Sequence, residues 1–188
     1  MTARGPYKTP AAFRRALTDK LRELANNSRW GLPQLQQQIA YDRLLERLYL
    51  VDDGWIVKGA VALLARDIGV PASKDIDVYR EGERSEIEAE LREAAACDIG
   101  DWFRFEVGPT QAVSDGAAGG VRLPVKAYVG DTLWASFPVD VVGADIPYDR
   151  ASRGHAADRA RCNARCRAKR VSGLTACRPR RRQGCCHL

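Results

Sequence analysis

The sequence predicts an α/β domain, a small mixed sheet prefaced by a pair of helices. Three observations point to it. Apolar residues recur at helical spacing twice near the start, first as Phe13, Leu17 and Leu21, then as Leu35, Ile39, Leu45 and Leu48. Between residues 55 and 107, short β-branched and aromatic runs alternate with helical patterns. Two longer runs, residues 121–129 and 133–142, then meet across Gly130-Asp131, a hairpin signal.

Each element has a local reason. Thr9 can cap the first helix and Pro10 suits its first position, where the missing N–H has no helical partner to lose. Phe13, Leu17, Leu21 and Leu24 make its stripe, and Asn26-Asn27-Ser28 ends it. The second helix begins near Leu32-Pro33 and is closed by Asp52-Asp53-Gly54. Residues 55–58 read as a short buried strand. Gly59 turns the chain into a helix over residues 60–68 that is apolar almost all round, and therefore buried. Residues 75–79 are a second strand. Ser85 and Glu88 have the spacing of a capping box and open a helix with Ile87, Leu91, Ala94 and Ala95 on one face. Residues 102–107 are a third strand and residues 108–120 a Gly/Ala-rich loop. The order αα-βαβα-βββ fits helices layered on a mixed sheet.

The chain of 188 residues has a formal charge of +6, which at first points to a nucleic-acid binder. The average conceals a split. Residues 1–149 hold 18 Lys+Arg and 23 Asp+Glu, a net −5. Residues 150–188 hold 12 Lys+Arg and one acid, a net +11. The length suits one domain, residues 1–149, with residues 150–188 as an appendage. This appendage lacks aromatic residues and has only Val171, Leu174 and Leu188 as large aliphatics, so it is expected to stay disordered. It admits three readings. Cys162, Cys166, Cys185, Cys186 and His187 are soft zinc donors, although their spacing matches no paired knuckle. The arginines suit an RNA-binding arm. The aperiodic Arg/Ala/Cys/Gly composition also suits a substituted terminus, as when a chain is read in another frame. No apolar run spans a bilayer and no secretory signal opens the chain, so a cytoplasmic protein is expected.

The segment that carries chemistry is Lys58-Gly59-Ala60 followed by Ser73-Lys74-Asp75-Ile76-Asp77. Two residues apart on a strand, Asp75 and Asp77 point to one face, while Ile76 and Val78 anchor the other. Adjacent carboxylates repel each other and call for a cation; hard oxygen donors suit Mg2+ or Mn2+. Gly59 lies where a strand turns into a helix, so backbone N–H groups and the helix dipole favour a phosphate there. Metal-binding carboxylates beside a phosphate cradle are the parts that nucleotidyl transfer needs.

This combination resembles the polymerase-β-type nucleotidyltransferases, and within them the AbiEii/AbiGii-like (MenT-like) toxins. The resemblance covers roughly residues 10–147. It rests on the helical preface, the Lys-Gly-Ala turn with its apolar helix ending in Arg66, the Ser-Lys-Asp-Ile-Asp strand, and a late strand pair matched at Lys126 and Asp140. It implies a nucleotidyltransferase-like mixed sheet. It also implies a toxin of a toxin–antitoxin system that adds nucleotides from a nucleoside triphosphate (NTP), CTP or another pyrimidine, to the 3′ acceptor end of tRNA. Carried over, Asp75, Asp77 and Asp140 bind metal, Asp140 helps to activate the tRNA hydroxyl, and Lys126 neutralises triphosphate charge. Lys58, Gly59, Ala60, Arg66, Ser73 and Lys74 form the nucleotide-binding set. The partners implied are tRNA and a cognate antitoxin. This chain departs from the family in having Gly59-Ala60 where Gly-Gly or Gly-Ser is usual. It departs again in carrying the Arg/Cys segment where a helical region is expected.

The hairpin register decides whether Lys126 and Asp140 can act together. A two-residue turn at Gly130-Asp131 pairs Tyr128 with Leu133 and places Asp140 and Lys126 on opposite faces; a three-residue loop or a bulge places them on one. Other functional readings remain open beside the enzyme: a nucleic-acid-binding protein acting through its basic tail, an inactive remnant, or a transferase for a small-molecule acceptor.

Overall fold

The computed structural model describes residues 6–59, 61, 73–113 and 120–142. Of the helix expected over residues 60–68 only Val61 is described, helical and buried; Ala60, Arg66 and the basic segment 150–188 lie outside the described residues. What is described is a mixed α/β arrangement, as expected: three helices and a mixed sheet.

Helix α1 (Pro10–Asn26) starts as its sequence requires, with the Ala12 N–H donating to Thr9 Oγ1 at 3.1 Å. Phe13, Leu17 and Leu21 are buried, but Leu24 is 45% exposed, so the stripe ends one turn early. Helix α2 (Leu32–Val51) packs against α1, the third helix and the last strand, which explains why its middle is buried nearly all round. That middle includes Asp42, Arg43 and Arg47, charged residues that its apolar spacing does not reveal.

Strand β1 is short, Ile56–Val57, and pairs antiparallel with β2 (Ile76–Tyr79). Helix α3 (Arg84–Ala96) buries Ile87, Leu91, Ala94 and Ala95 as predicted, but starts differently. Its capping box joins Glu83 and Glu86, not Ser85 and Glu88, because the chain turns helical at Arg84 and leaves Ser85 inside the first turn. Strand β3 (Phe103–Val107) follows. The expected loop then contains β4 (Gln111–Val113), which pairs with the start of β5 (Gly120–Val129). Strand β6 (Thr132–Val142) completes the sheet, whose order is β1-β2-β6-β5-β3 with β4 also on β5. Among the described residues, only β2 and β6 pair in parallel.

The sheet has one apolar face and one polar face. Ile76, Val78, Phe105, Leu123, Val125 and Val139 are buried in the core that the helices cover. On the other side stand Asp77, Asp140, Arg122, Lys126 and Glu106. The ends are tied by arginine. Arg80, just past β2, bonds Glu90 through Nε and Nη2 at 2.9 Å each, and Asp52 through Nη1 at 2.5 Å.

Candidate functional site

The polar face owes its content to one bulge. The β5–β6 turn is the two-residue kind, with Tyr128 opposite Leu133. Continued without interruption, that register would set Asp140 opposite Val121, whose side chain is buried. A carboxylate there would enter the core unpaired, at a cost of several kcal/mol. Instead the register shifts, Ala127 faces Ala135, and Trp134 is the extra residue. Trp134 stays in the core, where its indole N–H donates to Gln36 O at 2.8 Å. Every later residue of β6 changes sides, so Asp140 faces Arg122 on β5 and Asp77 on β2. Lys126 and Asp140 therefore do share a face, through the bulge and not through a longer loop.

Asp75, Asp77 and Asp140 converge. One carboxylate oxygen from each lies within 4.8 Å of the others, and all three side chains are half-buried. Ser73 Oγ donates to Asp75 Oδ1 at 2.9 Å and aims that carboxylate. Burial pushes the Asp77 carboxyl above its ordinary range, and the charges of Asp75 and Asp140 push it further; Lys58 and Arg122 pull the other way. A cluster that crowds like charge in this manner is a fit for a hard divalent cation, and its donors are all oxygens.

Gly59 closes the site on one side. Its φ is +60°, a left-handed conformation, and a Cβ there would overlap Asp77 Oδ2. The neighbouring Lys58 N–H donates to Asp77 O at 2.7 Å, holding the turn against β2. The left-handed φ and the Cβ overlap each require glycine at position 59. Gly59→Ala is expected to cost about 1–2 kcal/mol from backbone strain alone and to displace the Asp77 carboxylate. Urea unfolding checks the first effect, and a loss of Mn2+ affinity checks the second.

Helix α2 supports the segment from behind. The Tyr41 hydroxyl donates to Ser73 O at 3.2 Å. Gln37 Nε2 reaches both Tyr41 Oη at 2.6 Å and Lys74 O at 3.2 Å. Burial raises the Tyr41 pKa, the Gln37 hydrogen bond opposes that shift, and the Asp75 and Asp77 charges add to it, so the phenol keeps its proton and remains a donor. Neither residue stands out in the sequence, since both sit within an ordinary helical pattern.

The expected residues separate into groups. Asp75, Asp77 and Asp140 meet, with Ser73, Lys58 and Gly59 beside them. Lys74 is exposed and contributes its carbonyl to Gln37. Lys126 is exposed, faces Glu106 and Ser136 across the strands, and lies about 13 Å along β5 from the row that holds Asp140. The cation that does reach Asp140 is Arg122, with Nε to Oδ1 at 2.7 Å and Nη2 to Oδ2 at 2.6 Å. Sequence reasoning missed it. A signal existed: once Asp140 is required on the polar face, the bulge follows, and Arg122 is then its neighbour. A separate cavity lined by Pro10, Cys97, Trp102, Arg104 and Gly130 includes none of these residues.

Among the described residues, no helix is long and apolar enough to cross a membrane. No family model matches the chain, and no curated protein matches it. Among solved structures, JHP933 from Helicobacter pylori is similar over 60% of this chain, with a TM-score of 0.40 and 16% identity. The match spans 47% of that protein's length.

Proposed function

We propose that the chain is a metal-dependent nucleotidyltransferase, a cytoplasmic toxin paired with a cognate antitoxin. Its reaction moves a pyrimidine nucleotide, from CTP foremost, onto the 3′ end of tRNA. The observation that carries the reaction class is the convergence of Asp75, Asp77 and Asp140 within 4.8 Å, beside a left-handed glycine turn. The acceptor and the nucleotide rest on the family resemblance.

Asp75, Asp77 and Asp140 would hold Mg2+ or Mn2+, which neutralises triphosphate charge and acidifies the attacking hydroxyl. Ser73 fixes the Asp75 carboxylate, so that it is presented without a search through rotamers. Gly59 leaves the turn open where a side chain would fill the space against Asp77. Asp140 completes the carboxylate set and, as the family resemblance implies, would help to activate the acceptor hydroxyl; without metal both its oxygens are held by Arg122.

The test is incubation with total tRNA, Mg2+ and each labelled nucleoside triphosphate in turn. Label is expected on tRNA from a pyrimidine triphosphate with the wild type, and none with Asp75→Ala. No label from any of the four, or equal label from Asp75→Ala, sinks the enzyme reading. If RNA binding is then lost on deleting residues 150–188, the tail is the active part.

A further inference from the structure

Arg122, Asp140 and Asp77 lie in one row across β5, β6 and β2. The guanidinium grips both oxygens of Asp140. It is also the more exposed partner, with 43% of its side chain accessible against 19% for Asp140. A guanidinium is a cation at all working pH values. It is therefore a monovalent charge bonded to one of three carboxylates that together suit a divalent one.

We propose that Arg122 is a place-holding cation that a divalent ion displaces and that then becomes a phosphate-binding arm. This rests on the reading of the three carboxylates as a metal site. A divalent ion in the cluster draws on the charge of Asp140 and repels the guanidinium, which weakens the ion pair from both sides. The side chain sits at the exposed rim of the row, on the same face of β5 as Lys126. A guanidinium fork bonds phosphate in the same two-point manner as carboxylate, so the released arm suits the polyphosphate of a nucleotide. The device makes phosphate binding follow metal binding. While the carboxylates lack a divalent ion, the arm is occupied and the acidic row repels phosphate.

The experiment can separate release of the arm from metal chemistry. Binding of inorganic tripolyphosphate to the full chain is measured by calorimetry in the presence of EDTA. Asp140→Asn frees Arg122 without metal and is expected to tighten binding about tenfold over wild type, the scale of a charge-assisted hydrogen bond. Asp77→Asn removes the same charge but leaves the ion pair, and is expected to gain much less. Adding Arg122→Ala to Asp140→Asn is expected to erase the gain. Equal gains from Asp77→Asn and Asp140→Asn, or a gain that survives Arg122→Ala, overturn the proposal while leaving the enzyme reading intact. In a second arm, Mn2+ binding is followed by electron paramagnetic resonance. Arg122→Ala is expected to bind Mn2+ several-fold more tightly than wild type. Weaker binding would make Arg122 an orienting partner of Asp140 and end the place-holder role. A wild type that takes up no Mn2+ removes the metal reading together with this one.

Discussion

Asp77→Asn is expected to lower nucleotidyl transfer by about a thousandfold or more and at the same time to raise the melting temperature of the metal-free protein. The two effects have one cause. Asp77 stands between Asp75 and Asp140, and burial and both neighbouring charges raise its pKa. A carboxyl with a higher pKa in the folded chain than in the unfolded one favours folding while it is protonated. That contribution is complete below the ordinary carboxylate range and is lost as pH rises through the raised folded value. At neutral pH the ionised group therefore works against the fold. Asparagine keeps the shape, removes the charge and abolishes this loss, so a melting temperature above that of the wild type is expected.

The pH and metal dependences sharpen the prediction. In the wild type without metal, the melting temperature should fall as pH rises just above the ordinary carboxylate range, and in Asp77→Asn this fall should be smaller. Mn2+ or Mg2+ should stabilise the wild type by binding only the folded state, and should do so far less in Asp77→Asn. Calorimetric melting with and without metal reads all of these. A variant that is both inactive and less stable at neutral pH would make Asp77 a structural residue.

Local chemistry was legible in the sequence where it is self-contained. Thr9-Pro10 declares a helix start because the cap bond reaches only three residues ahead. Strand β5 alternates buried and open residues along its length, so its period can be read directly. Asp75 and Asp77 share a face because two residues on one strand must. What escaped reading depends on partners far along the chain. Strand β4 consists of three residues in a Gly/Ala run and exists through its pairing with β5. Glu83 displaces Ser85 as the cap because the helix begins at Arg84, which its residue types do not mark. Arg122 meets Asp140 only through a bulge whose position is fixed by where Trp134 fits the core. The charged residues in α2 were hidden because helical spacing marks where a side chain points and not what receives it.

That last case carries the second large expected effect. Arg47 is fully buried, and each of its five N–H donors has an acceptor. Nε bonds Cys97 O at 2.9 Å. Nη1 bonds Arg43 O at 2.9 Å and Asp101 Oδ2 at 3.0 Å, while Nη2 bonds Asp101 Oδ1 at 2.7 Å and Phe103 O at 2.9 Å. The guanidinium also lies 4.9 Å from the centre of the Phe105 ring. Asp101 is itself only 3% exposed and accepts the Phe103 N–H at 3.1 Å. Phe103 thus has both backbone groups satisfied by side chains at the end strand of the sheet, which blunts that edge against pairing with another chain. Removing Asp101 leaves Arg47 buried without its carboxylate, and removing Arg47 leaves Asp101 with only Arg43 Nη1 at 3.6 Å, so Asp101→Ala and Arg47→Ala are each expected to cost about 3–5 kcal/mol. Against a total of about 5–15 kcal/mol for a domain, either variant should be close to unfolding, with a much lower urea midpoint. Arg47→Lys should recover little, because an ammonium has three donors and no planar fork to serve five acceptors. Replacing both Arg47 and Asp101 by apolar residues of similar volume should cost less than either single alanine, since the two charges leave together and Arg43 keeps Glu46 at 2.6 Å. If the single alanine variants unfold at the wild-type urea midpoint, Arg47 and Asp101 do not pin α2 to the β3 edge.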